Sequence, residues 1–235
     1  RQSEFLIIAG DDDTEITFWP RAITERGVQV GSFKTVYLNK GDCYLVKSFP
    51  FTKGYGDLTG TLIRGTKPFG VLSGHVRSAV PQNLVPRWDS KNHLIEMLMP
   101  TNVWGREFIT APYGTNPLGD LIRITSIFPN TIITGEWEGG TQTYTIPNSG
   151  GFIDIPYVPY PVKWVSNNPI QIAQFPMHSG QDGDSPNFDP AMALIPPLEQ
   201  FVNKTTFQTL QNISWNPSQY VAHYINIVGT IDALD

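Results

Sequence analysis

The chain holds one cysteine, Cys43, in 235 residues. No intrachain disulfide can form, so no covalent framework substitutes for a packed core. Cys43 sits inside a strand-like run and is expected to be a buried, inert thiol. Charge is also scarce: 16% of residues are Asp, Glu, Lys or Arg, against about a quarter in an average domain. The formal net charge is −5, and no Lys/Arg cluster breaks it, which argues against a nucleic-acid surface. No apolar run approaches the roughly 18 residues that a membrane helix needs. No leader-like segment precedes the first apolar run, so a secreted form is expected to be processed or cut from a longer chain. Nor does any stretch keep a 3.6-residue apolar period. Residues 188–203 come nearest, but Pro190, Pro196 and Pro197 interrupt them. One short helical turn near 197–201 is the only helix expected. There is no G-x-S-x-G, no H-E-x-x-H and no phosphate-cradling glycine loop, and no enzymatic activity is expected.

Glycine and proline are abundant, at 21 and 20 residues. They punctuate short apolar runs, the pattern of strands joined by turns. Residues 5–9 and 15–19 flank an aspartate-rich turn at 10–13. Residues 33–38 and 43–46 flank 39–42, and residues 58–64 and 69–72 flank 65–68. All three pairs are expected to be β-hairpins. Later strands are expected at 120–125, 131–137, 141–146, 151–155 and 162–165.

The chain also repeats itself. TKPFGVLSGH at 66–75 leads to LIEMLMP at 94–100 and then EFIT at 107–110. NNPIQIAQF at 167–175 leads to AMALIPP at 191–197 and then TFQT at 206–209. Residues 120–125 match the opening strand, and Trp137 is matched to Trp19. Self-similarity at this period means two like units packed together. The expected fold is all-β: two tandem, jelly-roll-like β-sandwich units, residues 1–115 and 116–235, joined by an apolar seam. A boundary is expected in the turn-rich stretch 114–119. A β-propeller is the alternative, although no blade-length repeat of about 40–45 residues is visible. Residues 224–229 resemble both openings and read as the start of a third copy. That strand is expected to complete a sheet with residues 5–9, within the chain or between neighbours.

GDLTGT at 56–61, KPFGVLSGH at 67–75, HLIEMLMP at 93–100, WGREFITAP at 104–112 and IPPLEQF at 195–201 resemble the amino-terminal domain of the IgGFc-binding protein family. The resemblance spans most of the chain. It implies an extracellular, non-enzymatic module of mucus-associated, matrix or cell-surface proteins, usually part of a longer chain. Residues 76–92 lack the cysteines expected in animal relatives, which weakens the inference of an oxidising home.

Few side chains stand out as sites. His75 and His178 are read as ending equivalent strands and are candidate ligand contacts; loop hydrogen bonding is their blander role. Asp182, Asp184 and Asp189 put three hard-oxygen ligands in one glycine-bearing loop, a candidate Ca²⁺ site off EF-hand spacing, against a solvated acidic loop. Asp11, Asp12 and Asp13 are read mainly as a solvated turn. Glu96 and Glu199 occupy equivalent places, and nothing in the sequence brings them together as a hydrolytic pair. Of six tryptophans, loop-borne Trp88 is the one expected to touch a ligand, glycans included. Asn203 and Asn212 head N-x-S/T sequons. No cofactor is required. The expected function is a secreted structural or adhesive module that binds other protein chains, copies of itself included, through edge strands. A lectin-like module using loop aromatics is the alternative.

Overall fold

The computed structural model describes residues 2–50, 56–81, 91–113, 118–177, 190–207 and 225–229. It is all-β. The strands are β1 (Ser3–Ala9), β2 (Thr14–Trp19), β3 (Lys34–Leu38), β4 (Cys43–Lys47), β5 (Leu62–Gly65), β6 (Phe69–Ser78), β7 (Asn92–Met97), β8 (Gly105–Thr110), β9 (Asp120–Ser126), β10 (Thr131–Trp137), β11 (Gly140–Ile146), β12 (Gly151–Val158), β13 (Val162–Phe175) and β14 (Ala193–Ile195). Two single 3₁₀ turns, Thr101–Val103 and Leu198–Gln200, each follow a proline, Pro100 and Pro197. The second is the helical turn expected from the sequence. Among the described residues no helix is long and apolar enough to cross a membrane.

Strict alternation builds the first strands. Phe5, Ile7 and Ala9 of β1 point inward, as do Thr14, Ile16 and Phe18 of β2. Successive side chains of a strand face opposite ways, so each strand has one apolar face to cover. The three expected hairpins do not form. β1 pairs with β4 and β6, whereas β2 pairs with β3 and β5. Each short connection therefore switches sheets. The reason is that both apolar faces are satisfied against each other: Phe5, Ile7 and Val46 from one sheet share a core with Ile16, Phe18 and Leu38 from the other. Side-by-side pairing would leave those faces without cover.

The pairing scheme then recurs. β9 pairs with β12 and with the second part of β13, while β10 pairs with β11 and with the first part of β13. Registers correspond as well. Ile16 lies opposite Gly65 and Ile133 opposite Ser166; Ala9 lies opposite Phe69 and Ser126 opposite Ile170. Leu72 faces Met97 as Ala173 faces Leu194. β13 thus does the work of β5 and β6 without a break. Its ladder is irregular between Val165 and Ile170, where Pro169 has no donor. Asn167 Oδ1 accepts the Ile132 N–H at 2.8 Å, and the Ser166 hydroxyl donates to the Asn168 carbonyl at 2.7 Å.

Three further expectations change. The same registers align Trp19 with Glu136, not Trp137, because Trp19 faces Leu62 and Glu136 faces Lys163. A one-residue offset in a strand reverses the side chain, so the two tryptophans are not equivalent. β1 is paired on both edges, which leaves residues 224–229 no place beside it. Residues 225–229 are not strand, and Asn226 instead donates its side-chain amide to the Ala111 and Pro112 carbonyls. Cys43 is exposed, since Tyr44 and Val46 take the inward positions of β4.

An apolar cluster bridges the first and later sheets. Val80 and Leu94 pack with Leu121, Ala173, Phe175 and Met177.

Candidate functional site

β8 leaves the sheets it follows in sequence and adds to β13, with Phe108 opposite Trp164. Phe108 is fully buried in the core formed by Ile122, Ile124, Ile133, Trp164, Ile170 and Ile172. The Trp164 indole N–H donates to the Thr110 hydroxyl at 3.0 Å. On the far side, Glu199 Oε1 accepts the Arg106 backbone N–H at 2.9 Å. Gly105 is held so close to Pro197 that an added Cβ would overlap that ring. β8 is therefore inserted in a slot between β13 and the 3₁₀ turn at Leu198–Gln200.

A charge cluster clamps the same seam. Arg123 donates to both oxygens of Asp154, at 2.7 and 2.8 Å, and to Asp57 Oδ2 and the Thr59 hydroxyl, each at 2.8 Å. Its guanidinium lies 4.2 Å from the Phe152 ring centroid. Burial alone would raise the Asp57 pKa, but the Arg123 charge and the hydrogen bonds from Thr59 together hold it below its ordinary value. Burial would lower that of Arg123, and hydrogen bonding and charge from Asp154 and Asp57 more than reverse this. Beside the cluster, the backbones of Gly60 and Gly150 are in direct contact, and an added Cβ at Gly60 would overlap the Gly150 carbonyl. The Asp57-Leu58-Thr59-Gly60 stretch is thus a docking loop. Its signal was present in the sequence as a family-like motif, but nothing there named Arg123 or Asp154 as its partners.

A cleft of about 1950 Å³ opens beside this seam, lined among others by Trp19, Ile63, Phe69, Leu98 and Trp104. Its lining mixes apolar side chains with polar ones such as Thr61, Arg64 and Ser73.

His75 also lines this cleft. It stands on β6 opposite Leu94 and Ser3, and its Nδ1 accepts the Arg77 N–H at 3.1 Å. Register aligns it with Pro176, so the matching with His178 fails by two residues. Trp88, His178, Asp182, Asp184, Asp189 and Asn212 lie outside the described residues. Asn203 is exposed. Asp12 Oδ1 accepts the Lys40 N–H at 3.0 Å, a turn-fixing role. Glu96 accepts the Met97 N–H, whereas Glu199 accepts that of Arg106, so each carboxylate is committed to backbone. Sequence reading missed Asp120. It is 1% exposed, with Oδ2 accepting from Gln174 at 2.6 Å and the Tyr113 N–H at 2.8 Å. Its Oδ1 has no hydrogen-bond partner among the described residues. Burial raises its pKa despite both hydrogen bonds.

The sequence profile of the family described as IgGFc binding protein matches residues 1–234. The human protein described as IgGFc-binding protein is 23% identical over 203 residues, covering 84% of this chain and 3% of that protein. The chain therefore spans a small fraction of that relative's length. No solved structure matches.

Proposed function

The chain belongs to the IgGFc-binding protein family, and from that premise we propose that it is a non-enzymatic, extracellular module that binds other proteins. The family match across residues 1–234 carries this reading. The human relative's name supplies the first partner to try, the Fc region of IgG. Within the proposal, residues 1–115 and 116–235 are two tandem copies of one β-sandwich unit. The recurrent strand pairing supports that division. The module acts in adhesive or matrix assemblies, through loops and strand edges, and carries glycans at its sequons. The open cleft beside the seam and the exposed position of Asn203 support these points.

Binding of the immobilised chain to IgG Fc and to a panel of mucus and matrix proteins, alongside a glycan array, tests the reading. Saturable binding to a protein partner that survives deglycosylation of that partner is expected. Binding confined to glycans and lost in Trp88→Ala would replace it with a lectin. Hydrolytic turnover lost on Glu96→Gln or Glu199→Gln would replace it with an enzyme.

A further inference from the structure

We propose that the outer edge of β5 is a strand-acceptor site and that its occupant is the segment 202–207 of a second copy of this chain. The proposal rests on the two-unit reading above and goes further by naming the edge and the strand.

The first argument is what β8 does. The first part of β13 has a strand on each side, β10 and β8. β5 holds the matching register against β2 but has no partner on its other edge among the described strands. The residues that β8 covers show the difference. Trp164, Ile170 and Ile172 are 2%, 0% and 0% exposed, and Pro197 is buried. Their register counterparts Ile63, Phe69 and Val71 are only half-buried, and Pro100 is exposed. Leu98, the counterpart of Ile195, is 36% exposed. All five counterparts are apolar side chains that line the cleft that would receive a strand. An open edge of this kind is a template for another chain.

The second argument identifies the occupant. β8 follows a proline and a 3₁₀ turn, Pro100 and Thr101–Val103. Residues 202–207 follow Pro197 and Leu198–Gln200 in the same way. The counterpart of the β8 motif begins in them, TFQT at 206–209 for EFIT at 107–110, which places Phe207 where β8 has Phe108. Phe108 is 0% exposed and Phe207 is 64% exposed. The segment is not strand in the structure. Among the described residues the chain thus has an open strand edge near one end and a segment outside any strand near the other. Because β8 leaves its own unit for the next, 202–207 is aimed away from its own unit.

The third argument is the face beside the slot. The Arg123–Asp154 pair of β9 and β12, which takes the Asp57 loop, corresponds in register to Leu6 opposite Leu45 on β1 and β4. Leu45, Ile95 and Met97 are 40%, 52% and 56% exposed. The residues that precede β13 as the Asp57 loop precedes β5 include Tyr157 and Tyr160, 36% and 39% exposed. Aromatic rings against leucines replace the carboxylate against arginine. The contact is head-to-tail, so it builds rings or open chains of molecules rather than a two-fold dimer.

Sedimentation velocity of the whole chain over a dilution series tests this, with Phe207→Asp and with a synthetic peptide of sequence VNKTTFQT, residues 202–209. The wild type is expected to grow beyond one chain mass as concentration rises. Phe207→Asp should stay at one chain mass and melt at the wild-type temperature when dilute, since Phe207 is exposed in the single chain. The peptide should move wild-type assembly to higher concentration. A wild type that stays at one chain mass throughout, association unchanged in Phe207→Asp, or no effect of the peptide overturns the proposal. Partner binding is measured on the same variant. Binding retained by a chain that never self-associates removes the acceptor site and leaves the protein-binding reading intact.

Discussion

Gly135 lies opposite Trp164 across the β10–β13 ladder, and a Cβ added to it would come 2.7 Å from the indole ring. The corresponding pair in the earlier sheet is Phe18 opposite Ile63. One arrangement puts the bulk on the first strand, the other on the second. Cores hold a fixed volume, so the two sides of such a pair must change together.

The first expectation follows from that exchange. Gly135→Ala should destabilise by about 1–3 kcal/mol through overpacking. Gly135→Phe alone should cost more, and adding Trp164→Ile should recover part of the loss. Urea unfolding of the two single variants and the double variant gives the coupling, expected at about 0.5–3 kcal/mol. Additive losses would show that the two positions do not share one space.

Acid should loosen the seam. Asp57 has a folded pKa below its ordinary value, so the stability it contributes is complete above the unfolded carboxylate value of about 4 and is lost as pH falls through the folded value. Asp57→Asn should lose about 1 kcal/mol at neutral pH, a modest figure because the carboxyl keeps partial contact with water. Below pH about 4 the variant and wild type should converge. Unfolding midpoints across that range check it, and parallel curves would contradict it.

Asp120 carries the opposite sign. Its folded pKa is raised, first by burial, so the folded state resists ionisation. Its contribution is most favourable below the ordinary carboxylate value and declines as pH rises from there through the raised value. Asp120→Asn should gain on the wild type across that window. A constant difference between the two at all pH values would show that Asp120 ionises as freely folded as unfolded.

Much of this was legible in the residues. The alternation in 5–9 and 15–19 fixed strands and inward faces, and the TKPFG and NNPIQ stretches marked equivalent places, the turn between β5 and β6 and the irregular point inside β13, whose registers agree in space. Pairing partners were not legible. A turn such as 10–13 looks the same whether the next strand returns beside the first or crosses to the facing sheet, because that choice depends on which apolar face needs cover. Asp120 hid for a similar reason: an aspartate at a strand start reads as solvated unless the strands packed over it are known. The open edge of β5 is invisible locally, since nothing in residues 62–65 says whether a further strand lies beyond them.

The most direct measurement is amide hydrogen exchange along β8. If β8 is built into the later sheet, the amides of 106–110 exchange as slowly as those of 162–166, and Phe108→Ala speeds both segments together while β1 keeps its protection. Fast exchange in β8, matching residues 202–207, or release of β8 with no change in β13, would contradict the insertion on which the account stands.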